Sequence, residues 1–141
     1  MALKDTINQI NAMRKEQKII YAKEAVKEIE AYGDKHNLSE IEVGDIFFSL
    51  VKLFTYADHV CTSLERELFN KTFGVNFTEE QFEKITEDGN DKTFKEQTRE
   101  MILKMDTDTQ MSALIFGLSI MTIDDSITES EEALISEIFA K

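Results

Sequence analysis

The stretch Asp58-His59-Val60-Cys61-Thr62-Ser63-Leu64-Glu65 recurs in outline 66 residues later as Asp124-Asp125-Ser126-Ile127-Thr128-Glu129-Ser130-Glu131. Asp, Thr and Glu occupy equivalent places in both copies. In each copy the Thr and the Glu have the spacing of a capping box, in which both side chains bind backbone N–H groups at a helix start. The repeat therefore predicts two turns, each of which leads directly into a helix.

Apolar residues on both sides of these turns follow helical spacing. Before the first turn they are Ile41, Val43, Ile46, Phe47, Leu50, Val51 and Phe54. Around the second turn they are Met111, Leu114, Ile115, Leu118, Ile120 and Met121, then Leu134, Ile135, Ile138 and Phe139. We therefore predict two related helix-turn-helix pairs, over residues 40–73 and 108–140, that bury their apolar faces with pseudo-twofold packing.

The rest of the chain is also helical in pattern. A helical arm is predicted over residues 1–36, with Gly33 as its stop. Its more polar residues 1–18 are expected to fray or to form a separate helix. The apolar stripe of this arm consists of Ile19, Ala22, Val26, Ile29 and Tyr32. Thr78 and Gln81 predict a capping box for a short linking helix, and a second linking helix is expected from about residue 93 to 105. Since the chain also contains no proline, which breaks helix interiors, we predict one all-α domain over residues 1–141 with about seven helices.

The chain is strongly acidic, with 16 basic residues against 28 acidic ones and a net charge of −12. The excess lies after residue 36, because residues 1–36 carry seven basic and six acidic side chains. Such a surface repels phosphate backbones and anionic lipids, so neither nucleic acid nor a membrane is an expected partner. A cation or a basic protein partner is expected, unless the charge serves solubility alone. A single cysteine and the lack of an apolar leader predict a cytoplasmic location. A monomer or a homodimer is expected.

Each acidic turn places its Asp near the C-terminal end of a helix, where the macrodipole disfavours a carboxylate. A divalent cation such as Ca, Mg or Mn would compensate, since it binds hard oxygen ligands. The candidate metal ligands are Asp58, Glu65, Asp124, Asp125 and Glu131. The alternative is structural, because Asp forms turns through its own side chain and the glutamates already serve the capping boxes. The sequence leaves both interpretations open, and Asp58 and Asp124 carry the cation hypothesis. The second turn, which has more oxygen atoms, is the better candidate.

No catalytic set is visible in the sequence. Cys61 aligns with Ile127 in the repeat, which predicts a buried cysteine rather than a nucleophile. His59 is expected to be a turn residue, and His36 to lie solvated in a polar loop. Because the chain shows no nucleophile set, phosphate-binding loop or zinc-ligand spacing, we expect that it is not an enzyme.

The two turns resemble those of the TerB-like tellurite-resistance family, over roughly residues 40–141. The family pattern is Asp-Gly-x-(Val/Ile)-(Ser/Thr)-x-x-Glu between two helices. The matching residues are Asp58, Thr62 and Glu65 in the first copy and Asp124, Ile127, Thr128 and Glu131 in the second. His59 and Asp125 replace the family's glycine, and both residue types tolerate the left-handed conformation. The resemblance implies a non-enzymatic helical domain of stress or tellurite resistance, with the turns as a divalent-cation site. The alternative is a metal-free acidic module for protein–protein interaction.

Overall fold

A computed structural model describes residues 3–55, 63–87, 89, 91–123 and 129–139, apart from the side chains of residues 3, 4 and 129–132. The helices are α1 (Leu3–Asn11), α2 (Lys15–Lys35), α3 (Glu40–Thr55), α4 (Ser63–Phe73), α5 (Glu79–Thr86), α6 (Lys92–Leu103), α7 (Thr107–Met121) and α8 (Glu129–Phe139). The described residues form no strand, which confirms the all-α prediction. They contain eight helices where about seven were predicted, because the N-terminal segment divides into α1 and α2.

This N-terminal segment is part of the hydrophobic core. Ile7 and Ile10 of α1 are buried, and Ala22 and Ile29 on the predicted stripe of α2 are fully buried. Helix α1 packs against α7, and α2 packs against both α7 and α4. The segment that the sequence set apart as an arm therefore shares one apolar cluster with the helices that follow it.

Gly33 does not end α2, contrary to the prediction. The helix continues to Lys35, and Asn37 adopts the left-handed conformation with φ 57°. The N–H of Leu38 donates to the carbonyl oxygen of Gly33 at 2.9 Å, which is the long-range bond of a Schellman motif. Gly33 is needed for packing instead, since a Cβ there would lie 2.5 Å from Cγ2 of Val43.

Helix α7 lies at the centre of the molecule, with ten of its 15 residues buried. Helix α2 runs antiparallel to it: Lys18 contacts Thr122 at one end, and Tyr32 lines a hollow with Asp106 at the other. Helix α3 packs against α7 as well. The first helices of the two predicted pairs, α3 and α7, therefore meet in the core.

The predicted linking helices form with the expected start signals. Thr78 Oγ1 accepts from the N–H of Gln81 at 3.2 Å, and Gln81 Oε1 accepts from the N–H of Thr78 at 2.9 Å, so the capping box of α5 is confirmed. Helix α5 then buries Phe82, whose ring centroid lies 5.4 Å from that of Phe69 in α4. Gly74, with φ 66°, follows the end of α4 as predicted.

Two apolar side chains that the periodicity placed on core-facing helices point outward. Ile41 is 78% exposed and Met111 is 41% exposed. Ile41 lies in the first turn of α3, ahead of Ile46, the first residue of that helix to be buried. The buried face of α3 is therefore narrower than its composition suggested.

None of the described helices has the length and apolarity needed to cross a bilayer.

Candidate functional site

The predicted cation ligands fall mostly outside the described residues. Asp58 belongs to the segment 56–62, and Asp124 and Asp125 to the segment 124–128, neither of which the structure describes. Glu131 is the third residue of α8, but its side chain is also outside the description. Glu65, the third residue of α4, is buried with 6% of its surface exposed. The described residues include no group of three or more His, Cys, Asp or Glu that could hold a metal.

The other two chemistry-bearing residues of the first turn, His59 and Cys61, also lie outside the described residues. His36 is exposed and its ring packs beside Tyr32, with a centroid distance of 4.4 Å. It is the C-cap residue of α2, where its backbone N–H bonds to the carbonyl oxygen of Tyr32. His36 therefore has a structural place at a helix end.

Lys18 is the charged residue that the sequence analysis missed. It lies in the first turn of α2 and is completely buried, with 0% of its surface exposed. Its Nζ donates to the backbone carbonyl oxygen of Thr122, the C-cap residue of α7. A signal was present in the sequence, because Lys18 precedes Ala22 by four residues and so continues the apolar stripe of α2 by one turn.

The location of Lys18 matches the electrostatics of a helix end. Carbonyl groups in the last turn of a helix lack intrahelical partners and carry the negative end of the macrodipole. A buried ammonium is costly unless its protons find acceptors, and the carbonyl of Thr122 supplies one. The end of α7 and the ammonium of α2 therefore stabilise each other two residues before Asp124.

The corresponding end of α3 is built differently. Thr55, three residues before Asp58, is fully buried, and its Oγ1 has no hydrogen-bond partner in the described structure. At the other side of the same turn, Glu65 is a buried carboxylate. A buried hydroxyl oxygen without a partner favours a hydrogen-bond donor or a cation nearby. Among the described residues, the end of α3 therefore has an unpaired hydroxyl oxygen, whereas the end of α7 has the ammonium of Lys18.

A hollow of about 550 Å³ along α4 is lined in part by Glu67 and Lys71, which pair within the fold. Glu67 binds Lys15 of α2 at 2.8 Å and Lys71 at 2.9 Å. These two bonds, first that from Lys15 and then that from Lys71, lower the pKa of Glu67 from 4.5 to about 2. The amide of Asn70 makes two hydrogen bonds to the backbone of Phe77. The polar groups of this hollow therefore hold helices and a loop together.

A second concave surface follows the seam between α2 and α7, and we call it the α2/α7 groove. Its first part, of about 300 Å³, is lined by Tyr21, Glu24, Ala25, Lys27, Glu28, Ser112 and Ile115. Its second part, of about 520 Å³, is lined by Glu28, Ala31, Tyr32, Lys35, Asp106, Thr107, Asp108 and Thr109. Glu28 belongs to both parts.

The α2/α7 groove combines an apolar floor with an acidic rim. Tyr21 is 37% exposed and Ile115 is partly buried, so both offer apolar surface to a ligand. Four carboxylates face two lysines among the lining residues. Asp106 caps α7, and its bonds from the backbone and hydroxyl of Thr109 lower the pKa of its carboxyl. The carboxyl of Asp106 therefore keeps its negative charge to a lower pH than an ordinary Asp carboxyl.

Comparisons with protein-family models, with curated proteins and with solved structures return no match for this chain. The resemblance of the acidic turns to the TerB-like family therefore stays a prediction from the sequence.

Proposed function

We propose that this chain is a non-enzymatic helical domain, of the TerB-like kind, that binds a basic protein partner in the α2/α7 groove. The acidic rim around exposed apolar surface is the observation that carries the proposal. Complementary charge would attract and orient such a partner, while the apolar floor would supply the contact area.

The shape of the groove favours a helix as the bound element. The residues of α2 that line the groove lie between Tyr21 and Lys35 and recur once in every turn of the helix, so they follow one side of it. Fourteen residues of helix span about 21 Å, which is room for about four turns of a third helix. A groove between two packed helices is also a common way to bind an amphipathic helix. We therefore propose an amphipathic helix with lysine or arginine flanking its apolar face.

A synthetic probe tests this proposal. The probe is a fluorescein-labelled, C-terminally amidated 18-residue helix with leucine at i, i+3, i+4 and i+7 and lysine at the flanking positions. We expect saturable binding by fluorescence anisotropy, with a Kd that the variant Glu24→Lys/Glu28→Lys raises about tenfold or more, because the variant replaces attraction with repulsion at the rim. A peptide with the same apolar face and glutamate flanks should not bind.

A matched variant separates the groove from the general acidity of the chain. Glu83→Lys/Glu96→Lys makes the same change in net charge on exposed positions of α5 and α6, outside the groove lining. We expect this control to change the Kd less than about twofold at 150 mM salt, where charges farther apart than about 8 Å are largely screened. Equal weakening by both double variants, or no saturable binding to the wild type, contradicts the groove proposal.

A divalent cation at the first acidic turn is the second candidate function. The observation that favours it is the buried hydroxyl of Thr55 before that turn, whose oxygen has no hydrogen-bond partner in the described structure. Asp58 and Glu65 would supply hard oxygen ligands beside it. Calorimetric titration with calcium, magnesium and manganese tests this candidate. We expect a heat of cation binding that the variant Asp58→Ala abolishes and the variant Asp124→Ala preserves. The absence of any binding heat in the wild type would exclude a cation at the first turn.

A further inference from the structure

We propose that the hollow along α4 is a separate binding site for a small phosphomonoester, with the phosphate group on the guanidinium of Arg66. The hollow, of about 550 Å³, is lined by one side of α4 and by residues 74–76 of the loop that follows it. Among the described residues it shares no lining residue with the α2/α7 groove. The two proposals therefore stand or fall independently.

Arg66 has hydrogen-bond donors that the fold leaves unused. A guanidinium carries five N–H donors. In the described structure, Nη1 of Arg66 donates to the carbonyl oxygen of Phe77 at 3.4 Å, and the same oxygen accepts from the amide of Asn70 at 3.1 Å. The Nε of Arg66 is buried and has no hydrogen-bond partner there. Because an unpaired buried donor is costly, an acceptor that reaches the guanidinium from the hollow would stabilise it.

The charge around the hollow is locally positive, although the chain as a whole is acidic. Glu67 is the only carboxylate among the described lining residues, and it binds both Lys15 and Lys71. With Arg66, this cluster has three positive charges and one negative charge. The acidic residues that open α5 lie outside the lining. At 150 mM salt, charges farther apart than about 8 Å are largely screened, so a small anion in the hollow responds mainly to this cluster.

The chemistry and the size of the hollow favour a phosphomonoester. The planar fork of a guanidinium matches the oxygen atoms of a phosphate group. Lys71 also lines the hollow and adds a second positive charge, which suits the nearly doubly charged phosphate of a monoester at pH 7. A volume of 550 Å³ lies within the range of about 300–1,000 Å³ that small-molecule sites occupy. The hollow therefore has room for an organic group beside the phosphate.

Calorimetric titration with phenyl phosphate at 150 mM salt tests the proposal. We expect saturable binding, with a Kd that Arg66→Gln raises about tenfold or more, because the variant removes the fork and one of the two lining cations. Arg99→Gln is the matched control, since Arg99 also donates to a backbone carbonyl, that of Glu137 at 3.2 Å, and lies outside the hollow. This control should change the Kd less than about twofold. No saturable binding to the wild type, or equal weakening by both variants, would overturn the proposal.

Benzoate distinguishes a phosphate site from a general anion site. It has the same aromatic ring as phenyl phosphate but a carboxylate with a single negative charge. We expect benzoate to bind about tenfold more weakly or worse, since two cations line the hollow. Equal affinity for the two probes would overturn the assignment to a phosphomonoester.

Nuclear magnetic resonance of the wild type supplies a measurement that does not depend on the folding of Arg66→Gln. The chain has three arginines, Arg14, Arg66 and Arg99, so the arginine Nε–H region of a ¹H–¹⁵N spectrum contains three signals. Arg14→Gln and Arg99→Gln identify two of them and leave the third to Arg66. Phenyl phosphate should shift the Arg66 signal with the Kd found by calorimetry and leave the other two in place. No shift of the Arg66 signal, or similar shifts of all three, would overturn the proposal.

Discussion

Contacts with a different helix explain why certain residues of this chain are the type they are. The clearest case is Gly117 in the middle of α7. A Cβ at this position would lie 2.4 to 2.5 Å from three ring atoms of Phe54, which is itself fully buried. The ring of Phe54 also stacks on that of Phe139, with a centroid distance of 6.3 Å. The absence of a side chain at Gly117 therefore lets α3 approach α7 closely enough to seal the core.

The substitution Gly117→Ala is expected to destabilise the protein by about 1–3 kcal/mol, because the new methyl group overpacks the core more than the higher helix propensity of alanine offsets. Gly44→Ala is the matched control, since Gly44 lies in α3 and no atom would come within 4 Å of its Cβ. That control should be neutral or stabilise by up to about 1 kcal/mol. Urea unfolding followed by circular dichroism measures both values. A Gly117→Ala protein as stable as Gly44→Ala would show that Phe54 can move aside.

At the scale of elements, helix starts were predictable where the cap is local in sequence. Thr78 and Gln81 lie three residues apart and form their capping box as predicted, because both partners belong to one turn. Asp106 likewise caps α7 through Thr109. Gly33 was misassigned because its role depends on Val43, which belongs to a different helix. Sequence periodicity predicts which residues share one face of a helix, but it does not predict which other helix packs against that face.

The candidate site shows the same division between local and long-range information. The acidic turns were visible because each is a run of eight residues, and their ligand set stays a prediction. Lys18 and Thr122 are 104 residues apart, so no local pattern could connect them. The α2/α7 groove was also beyond prediction, because it exists only where α2 lies antiparallel to α7.

At the scale of the whole molecule, one carboxylate of the acidic part of the chain is tied to a lysine of another helix in the described structure. This carboxylate is that of Glu67, which joins Lys15 at the start of α2 to Lys71 in α4. Helix α2 thus contacts its neighbours through two lysines near its start, Lys15 toward α4 and Lys18 toward α7. The near-neutral N-terminal segment therefore supplies positive charge to α4 and to the end of α7.

This arrangement predicts how acid acts on the fold. The folded-state pKa of Glu67, about 2, lies below the ordinary value of 4.5. A lowered pKa contributes stability above about pH 4.5, and that contribution is lost as the pH falls toward 2.

Glu67→Gln should therefore lower the midpoint of thermal unfolding at pH 7, and the difference from wild type should shrink between pH 4.5 and 2. Circular dichroism melts across this range measure it, with Glu83→Gln on the exposed face of α5 as control. The effect should also weaken in 0.5 M salt, since these side chains are 36% to 54% exposed. A difference that stays constant down to pH 2 would show that Glu67 acts through packing rather than charge.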